Sequence, residues 1–544
     1  MNTNDNLRPS QYSKNGMVAT SQPLASQAGL DILKKGGNAV DAAIATAACL
    51  TVVEPTSNGM GSDAFAIVWM NNEIYGLNSS GPAPMSVKVD NTTMPMYGWT
   101  PITVPGAPAA WSALSERFGK LSLTECLAPA ISYAEEGYPV SPVVAHNWRR
   151  AYEIYSNELK GDEFAEWFRV FAPDGRTPQA GEMWSSRDHA ASLREIAETK
   201  AESFYRGALA EKIVAASKSA GKCNGRGIDN DTSKGNGKNA SGFFELSDLA
   251  NFVPEWVTPI SVNYNGYDVW ELPPNGQGLV ALMALKIMDG FDVGTQYNTD
   301  VYHKQLEAIK LAFASGMEYI TDPKHMKIPV SDLLSDTYIN DLRGSIKNTA
   351  SLPEPIRPKS GGTVYLASAD GDGNMVSYIQ SNYLGFGSGI VIPGTGISMQ
   401  NRGYDFSLDP GHANFLQGGK RTYHTIIPGF LTKRRQPIGP FGVMGGYMQP
   451  QGHVQVLMNM INFGMSPQAA LDAPRWQWIS GNRVDIEADF PRQTAYELAG
   501  CGHDINIQLS SGQFGRGQII QRNPDTGVLT GGTEPRADGG IAMW

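Results

Sequence analysis

The sequence predicts a layered α/β protein built from both halves of the chain. Strand-like alternation stands on both sides of a polar linker at 345–362, and helical apolar spacing flanks the strands. With 544 residues and 41% hydrophobic content, the chain can bury a large core. From the N-terminus, residues 23–35 carry apolar side chains at helical spacing (Leu24, Ala28, Leu30, Ile32, Leu33) and stop at Gly36-Gly37, a helix-ending signal. Asn38 is placed to cap a second helix, the Ala-rich run to Leu50, which is apolar nearly all round and is therefore expected to be buried. Residues 64–70 and 73–77 read as a hairpin turning at Asn71-Asn72, and helices are expected over 107–118 and 124–136.

Residues 218–240 are rich in Gly, Asn, Lys and Ser and read as a solvated surface insertion. Next come a strand-like stretch over 260–272, a turn at Pro273-Pro274-Asn275-Gly276 and a helix over 279–288. The linker 345–362 has no apolar period and runs directly into Thr363. Beyond it, 363–369 and 375–381 alternate as strands around Asp370-Gly371-Asp372-Gly373-Asn374. That turn has a superficial likeness to a calcium loop, but its sixth position is Met375 and its twelfth is Ser381, so a hairpin is expected. No internal repeat is evident.

Composition narrows the function classes. A net charge of −10 without a basic stripe argues against a nucleic-acid partner. Residues 1–15 lack an apolar signal core, and the longest apolar run, 42–53, is too short to span a bilayer. Cys49, Cys126, Cys223 and Cys501 lie far apart without metal or redox spacing, as expected of inert thiols in a reducing compartment. The expectation is a cytoplasmic protein with no membrane partner. The 60 glycines and 34 prolines imply many turns and close backbone approaches.

The chemistry centres on Gly362-Thr363. If that bond is cut, Thr363 carries a hydroxyl nucleophile and a free amine on one residue. Gly362 offers an unshielded carbonyl, so an N→O acyl shift followed by ester hydrolysis would release the two fragments. An α-amine has a reference pKa of about 7.7–8.0, near enough to neutral to act as general base. Such an enzyme requires no metal and no cofactor. The eight histidines show no H-x-x-x-H or H-E-x-x-H spacing, and there is no G-x-S-x-G elbow and no phosphate-binding loop. An acyl-transfer site also needs oxyanion donors, and Gly445-Gly446 offers adjacent unshielded amides. For an isolated pair the simpler reading is a glycine turn between strands.

These residues belong to a longer series of markers. In order they are Ala28-Gly29, Gly36-Gly37-Asn38-Ala39-Val40-Asp41-Ala42-Ala43, Val104-Pro105-Gly106, Phe204-Tyr205-Arg206-Gly207 and Leu272-Pro273-Pro274. Asp372-Gly373-Asn374, Phe386-Gly387-Ser388-Gly389, Asp405-Phe406-Ser407, Met444-Gly445-Gly446 and Ala473-Pro474-Arg475 follow. The chain thereby resembles the γ-glutamyltranspeptidase family of N-terminal-nucleophile hydrolases from about Met17 onward. The resemblance implies an α/β fold, a four-layer αββα sandwich made by a large subunit (1–362) and a small one (363–544) intertwined as one domain. It also implies self-cleavage before Thr363 and catalysis by Thr363 through an acyl-enzyme. Gly445 and Gly446 match the family's oxyanion glycines, and Ser381 matches a hydroxyl residue that supports the nucleophile.

The substrate positions depart from the family pattern. Where the family has an arginine for the glutamyl α-carboxylate, the nearest match is Ser80. The assisting tandem serines correspond to His424-Thr425, and the residue holding the α-amine corresponds to Arg402, while the acidic Asp405 remains. Moving the cation from near Ser80 to Arg402 suggests an acyl group with a carboxylate but no α-amine, as in oxamate or glutaryl amides. Simpler readings are a salt bridge from Arg402 to Asp405, a packed histidine at His424, and strand packing for Tyr365 and Tyr383. The segment between Ser407 and Lys420 is shorter than in relatives that close a lid, which suggests an open pocket and hydrolysis over transfer. Two other classes stay open: a γ-glutamyl hydrolase or transferase that reads its substrate differently, and an unprocessed, non-catalytic scaffold.

Overall fold

A computed structural model of the chain describes residues 8–89, 92–220, 242–352 and 362–544. Two seven-stranded sheets form its centre. The first runs in the order Gly540–Met543, Gly16–Thr20, Gly362–Asp370, Met375–Tyr383, Asp63–Met70, Glu73–Ser79, Glu255–Val257. The second runs Gln11–Ser13, Leu529–Thr533, Arg516–Arg522, Gln436–Met444, Gly429–Lys433, Tyr267–Glu271, Ile260–Tyr264. Each sheet therefore takes strands from both sides of Gly362.

The layering follows from the period-2 geometry of a strand. Along Gly362–Asp370, Val364 and Leu366 enter a core shared with helices, whereas Tyr365, Ala367 and Ala369 enter a core between the sheets. The neighbouring strand Asp63–Met70 divides the same way, with Phe65, Ile67 and Trp69 inward and Ala64, Ala66 and Val68 toward the helices. The inter-sheet core is completed from the second sheet by Phe430, Met444, Ile520 and Leu529. On the outer face of the second sheet, Gly278–Met288, Thr299–Tyr319 and Met448–Ile461 enclose another core. Three cores between four layers make the αββα sandwich.

Several local expectations are met. The first helix is Pro23–Lys34, and the next, Ala39–Val53, opens on a capping box in which Asn38 and Asp41 satisfy each other's backbone N–H groups. All fifteen residues of Ala39–Val53 are buried, as its all-round apolar surface requires. Its approach to the first helix depends on Gly29, where an added Cβ would lie 2.3 Å from Thr46 Oγ1. The hairpin at Asn71-Asn72 turns through left-handed φ values of 54° and 63°.

Other expectations are corrected. The stretch 260–272 is two strands, not one; Asn265-Gly266, a hairpin-turn dipeptide, breaks it with φ of 48° and 79°. Helix Thr299–Tyr319 was not foreseen because His303, Glu307 and Lys310 interrupt its apolar stripe, yet all three are buried. Of the supposed insertion 218–240, residues 218–219 finish helix Ala208–Ser219, and 221–240 lie outside the described residues. Likewise the linker begins at the end of helix Asp336–Ser345 and ends at Gly362 in a strand, with 353–361 outside the described residues. Among the described residues no helix is long and apolar enough to cross a membrane.

Candidate active site

Strand parity determines what faces the inter-sheet space at one end of the first sheet. Ser381 shares the parity of Met375 and Ile379, and Asp63 that of Phe65 and Ile67; both therefore point between the sheets. The ladder sets Ser381 directly opposite Asp63. Thr363 lies on the adjoining strand, at an irregularity between Gly362 and Val364, and its Oγ1 is 3.0 Å from Ser381 Oγ. Thr363, Ser381 and Asp63 thus form a row across three strands, all buried.

The proton arrangement around Ser381 is determined by its partners. Its hydroxyl lies 2.9 Å from the Gly362 carbonyl oxygen, which can only accept. Ser381 therefore donates to Gly362, and its oxygen accepts from the Thr363 hydroxyl and from the Tyr383 N–H at 2.8 Å. Tyr383 holds this N–H in place through a left-handed backbone, φ 74°, which is uncommon outside glycine.

Tyr383 is more than the strand packing expected of it. Its hydroxyl donates to Asp405 Oδ1, and its ring lies 4.0 Å under the Arg402 guanidinium. Tyr365 does pack, with its hydroxyl 2.8 Å from Ser377 Oγ. Burial raises the Tyr383 phenol well above its ordinary range, with Asp405 adding to the shift, so it stays a donor.

Arg402 does form the salt bridge to Asp405, Nη1 to Oδ2 at 3.3 Å, and Nη1 also donates to Thr425 Oγ1 at 2.7 Å. Its Nε and Nη2 have no hydrogen-bond partner among the described residues, although the side chain is 1% exposed. A buried donor left unmade costs about 1–3 kcal/mol, more when charged. Two adjacent N–H edges on one guanidinium match the two oxygens of a carboxylate.

His424 is packed, as its simpler reading supposed, but it also contacts an acid that the sequence did not single out. Its Nδ1 accepts from the Ile426 N–H, so its Nε2–H donates to Asp63 Oδ2 at 3.0 Å. Burial drives this imidazole well below its usual range, and Arg402 and Arg421 push the same way. Burial also pushes the Asp63 carboxyl up to about 7, against the pull of Arg402. Ionisation of Asp63 above that pH places a negative charge beside Arg402. KM for an anionic substrate should therefore rise severalfold between about pH 6 and 8. Steady-state kinetics of Asp63→Asn should show that inflection removed. Ser80 is tied elsewhere, donating to Asn78 Oδ1 at 2.8 Å and accepting from Asn275 Nδ2 at 3.2 Å.

The second sheet supplies Gly445-Gly446, which ends strand Gln436–Met444 and leads into helix Met448–Ile461. The φ values are 142° and 60°, and a Cβ on Gly445 would meet Gly515 Cα at 3.1 Å, so Gly445 demands glycine and Gly446 sits in the left-handed region that favours it. The Gly445 carbonyl accepts from Met448 N–H, and that of Gly446 from Gln449 N–H. Neither glycine N–H has an acceptor among the described residues, and both sit at the positive end of a helix. The turn joins the Arg402 cluster through the Tyr447 hydroxyl, 3.2 Å from Asp405 Oδ1.

The continuous chain buries Thr363, Arg402 and the Asp405 side chain. A cleft of about 540 Å³ lined by Asn38, Trp69, Arg117, Lys120 and Asp372 lies at the far end of the same strands. One group of metal-capable side chains, His303, Glu307 and His503, is found among the described residues. Lys310 already neutralises Glu307 at 2.8 Å, and the two imidazoles share a hydrogen bond at 2.9 Å, so this cluster carries its own cation.

Comparison with known proteins finds relatives along nearly the whole chain. The chain is 35% identical over 542 residues to the glutathione hydrolase-like YwrD proenzyme of Bacillus subtilis (strain 168), covering 96% of this chain and 97% of that one. It is 33% identical over 555 residues to the oxamate amidohydrolase proenzyme of Klebsiella pneumoniae, covering 98% and 100%. The crystal structure of cephalosporin acylase from Bacillus halodurans superposes with a TM-score of 0.92 at 58% identity, covering 99% and 97%. Residues 25–544 match the family described as Gamma-glutamyltranspeptidase, and the chain belongs to that family of N-terminal-nucleophile hydrolases.

Proposed function

We propose that this chain is a self-processing amidohydrolase that cleaves amides of carboxylate-bearing acyl groups through an ester on Thr363. Family membership makes it a hydrolase of amide C–N bonds; the nucleophile, the processing and the substrate are the proposal. The observation that carries it is the pair of buried Arg402 donors without a partner among the described residues, joined to Thr363 and Ser381 through Tyr383, whose ring lies under Arg402 and whose N–H reaches Ser381.

In maturation, Thr363 Oγ attacks the Gly362 carbonyl carbon. Its proton passes to Ser381 Oγ as Ser381 gives its own to the Gly362 oxygen, along the contacts described. On collapse the Gly362 hydroxyl proton passes to the nitrogen, the C=O re-forms and the C–N bond breaks, leaving an ester on Thr363 with a free α-amine. One water then hydrolyses the ester, releasing a Gly362 carboxylate and restoring the Thr363 hydroxyl. In turnover the α-amine takes the hydroxyl proton, Thr363 Oγ adds to the substrate amide carbon, and the Gly445 and Gly446 N–H groups receive the oxyanion. The amine returns the proton to the leaving amine, and water hydrolyses the acyl ester. No step uses a metal or a cofactor. The partners are a small-molecule amide and the chain's own two fragments, 1–362 and 363–544.

The relative named oxamate amidohydrolase supports a small amide whose acyl part is anionic, since oxamate is the monoamide of a dicarboxylic acid, and the one named cephalosporin acylase supports acyl chemistry in general. A second reading, γ-glutamyl hydrolysis or transfer, is favoured by the relative named glutathione hydrolase-like. Release of p-nitroaniline from glutaryl, γ-glutamyl and butyryl anilides separates them. The glutaryl compound should exceed the butyryl one in kcat/KM by about 10²-fold, the value of a buried ion pair of roughly 3 kcal/mol. Stronger turnover of the γ-glutamyl compound would move the assignment to the second reading.

A further inference from the structure

Gln277 takes no part in the chemistry above, yet it joins the two halves of the site. It is wholly buried, and its Nε2 donates both protons to backbone carbonyls, Thr425 O at 2.6 Å and Gly446 O at 2.9 Å. Its Oε1 accepts from the Tyr423 hydroxyl at 3.0 Å. Carbonyls only accept, so this amide orientation is the one that satisfies all three contacts. Its backbone N–H donates to the His424 carbonyl at 2.9 Å, which fixes the residue to the segment carrying Thr425.

Thr425 is the residue whose hydroxyl receives Arg402. Gly446 is half of the turn whose amides are free. The chain of contacts is thus Arg402, Thr425, Gln277, Gly446, without a gap. We infer that Gln277 is a positioning residue that couples carboxylate binding at Arg402 to the alignment of the Gly445-Gly446 amides. This rests on the proposed roles of Arg402 and the glycine turn. The physical reason is stiffness: one planar group with every donor and acceptor engaged transmits a shift of the Thr425 peptide to the Gly446 peptide. A correctly bound acyl carboxylate then raises kcat as well as affinity, which is how binding energy at a remote group reaches the reacting centre.

The test compares glutaryl and butyryl p-nitroanilides in the wild type, Gln277→Met and Tyr423→Phe, with melting temperatures measured alongside. Met keeps the length of Gln without its hydrogen bonds, and Phe removes only the bond that orients the amide. In Gln277→Met the glutaryl kcat should fall at least tenfold toward the butyryl value, while the glutaryl KM changes less than threefold. Tyr423→Phe should shift kcat in the same direction by about threefold, and it carries the test if the Met variant is not stably folded. Equal losses on both substrates, or no loss of kcat in a stable variant, would overturn the coupling. A wild type without preference for the glutaryl compound would instead overturn the Arg402 reading, so the two failures are distinguishable.

Discussion

Replacing Thr363 with Ala leaves a single uncut chain and no turnover. On intact mass and SDS-PAGE the wild type should give two fragments, 1–362 and 363–544, while Thr363→Ala should give one chain stable on incubation. The substitution removes the oxygen proposed to attack Gly362 and leaves Ser381 its bond to the Gly362 carbonyl. The fold should survive, because Thr363 contributes one hydroxyl contact at the end of a strand otherwise held by a full ladder. Amide hydrolysis should fall by roughly 10³-fold or more, the scale of losing a covalent nucleophile. Cleavage of Thr363→Ala at the same bond would show that another group performs it. An uncut wild type would bring the non-catalytic scaffold forward.

Arg402→Ala should abolish the preference for an anionic acyl group. The guanidinium is buried against Tyr383, bonded to Asp405 and Thr425, and its Nε and Nη2 have no partner among the described residues. Removing a desolvated, hydrogen-bonded charge costs about 2–5 kcal/mol in binding, roughly 30- to 4,000-fold in kcat/KM for the glutaryl compound. The butyryl compound, which presents no carboxylate, should lose less than tenfold. Part of the cost is Asp405 left without Arg402, so Arg402→Lys serves as control: it restores the charge without the planar fork and should recover only part of the preference. Equal losses on the two anilides would reduce Arg402 to a structural ion pair.

Much of this was legible before any coordinates. Gly362-Thr363 by itself is a commonplace dipeptide before a strand, and it became a candidate through the series of family markers on either side of it. Asn38, Asn71-Asn72 and Gly445-Gly446 are local signals, since caps and positive-φ turns depend on a few adjacent residues. The alternation along 363–369 and 375–381 identified the paired strands for the same reason.

What the tertiary structure alone decided are the long-range pairings. Asp63 and His424 stand 361 positions apart, and only the register of Asp63–Met70 against Met375–Tyr383 brings Asp63 opposite Ser381. Tyr383 looked like packing because its left-handed backbone and its hold on Asp405 leave no mark in hydrophobic period. Gln277 was invisible for the same cause, being one polar residue after a turn until Thr425 and Gly446 arrive on either side of it. Local backbone preference is written in neighbouring residues, and so the sequence by itself determined most of the local elements and the layered α/β class, and it nominated Thr363 for the proposed nucleophile. A buried polar side chain acquires its role from partners that only the packing of two sheets brings within hydrogen-bonding distance.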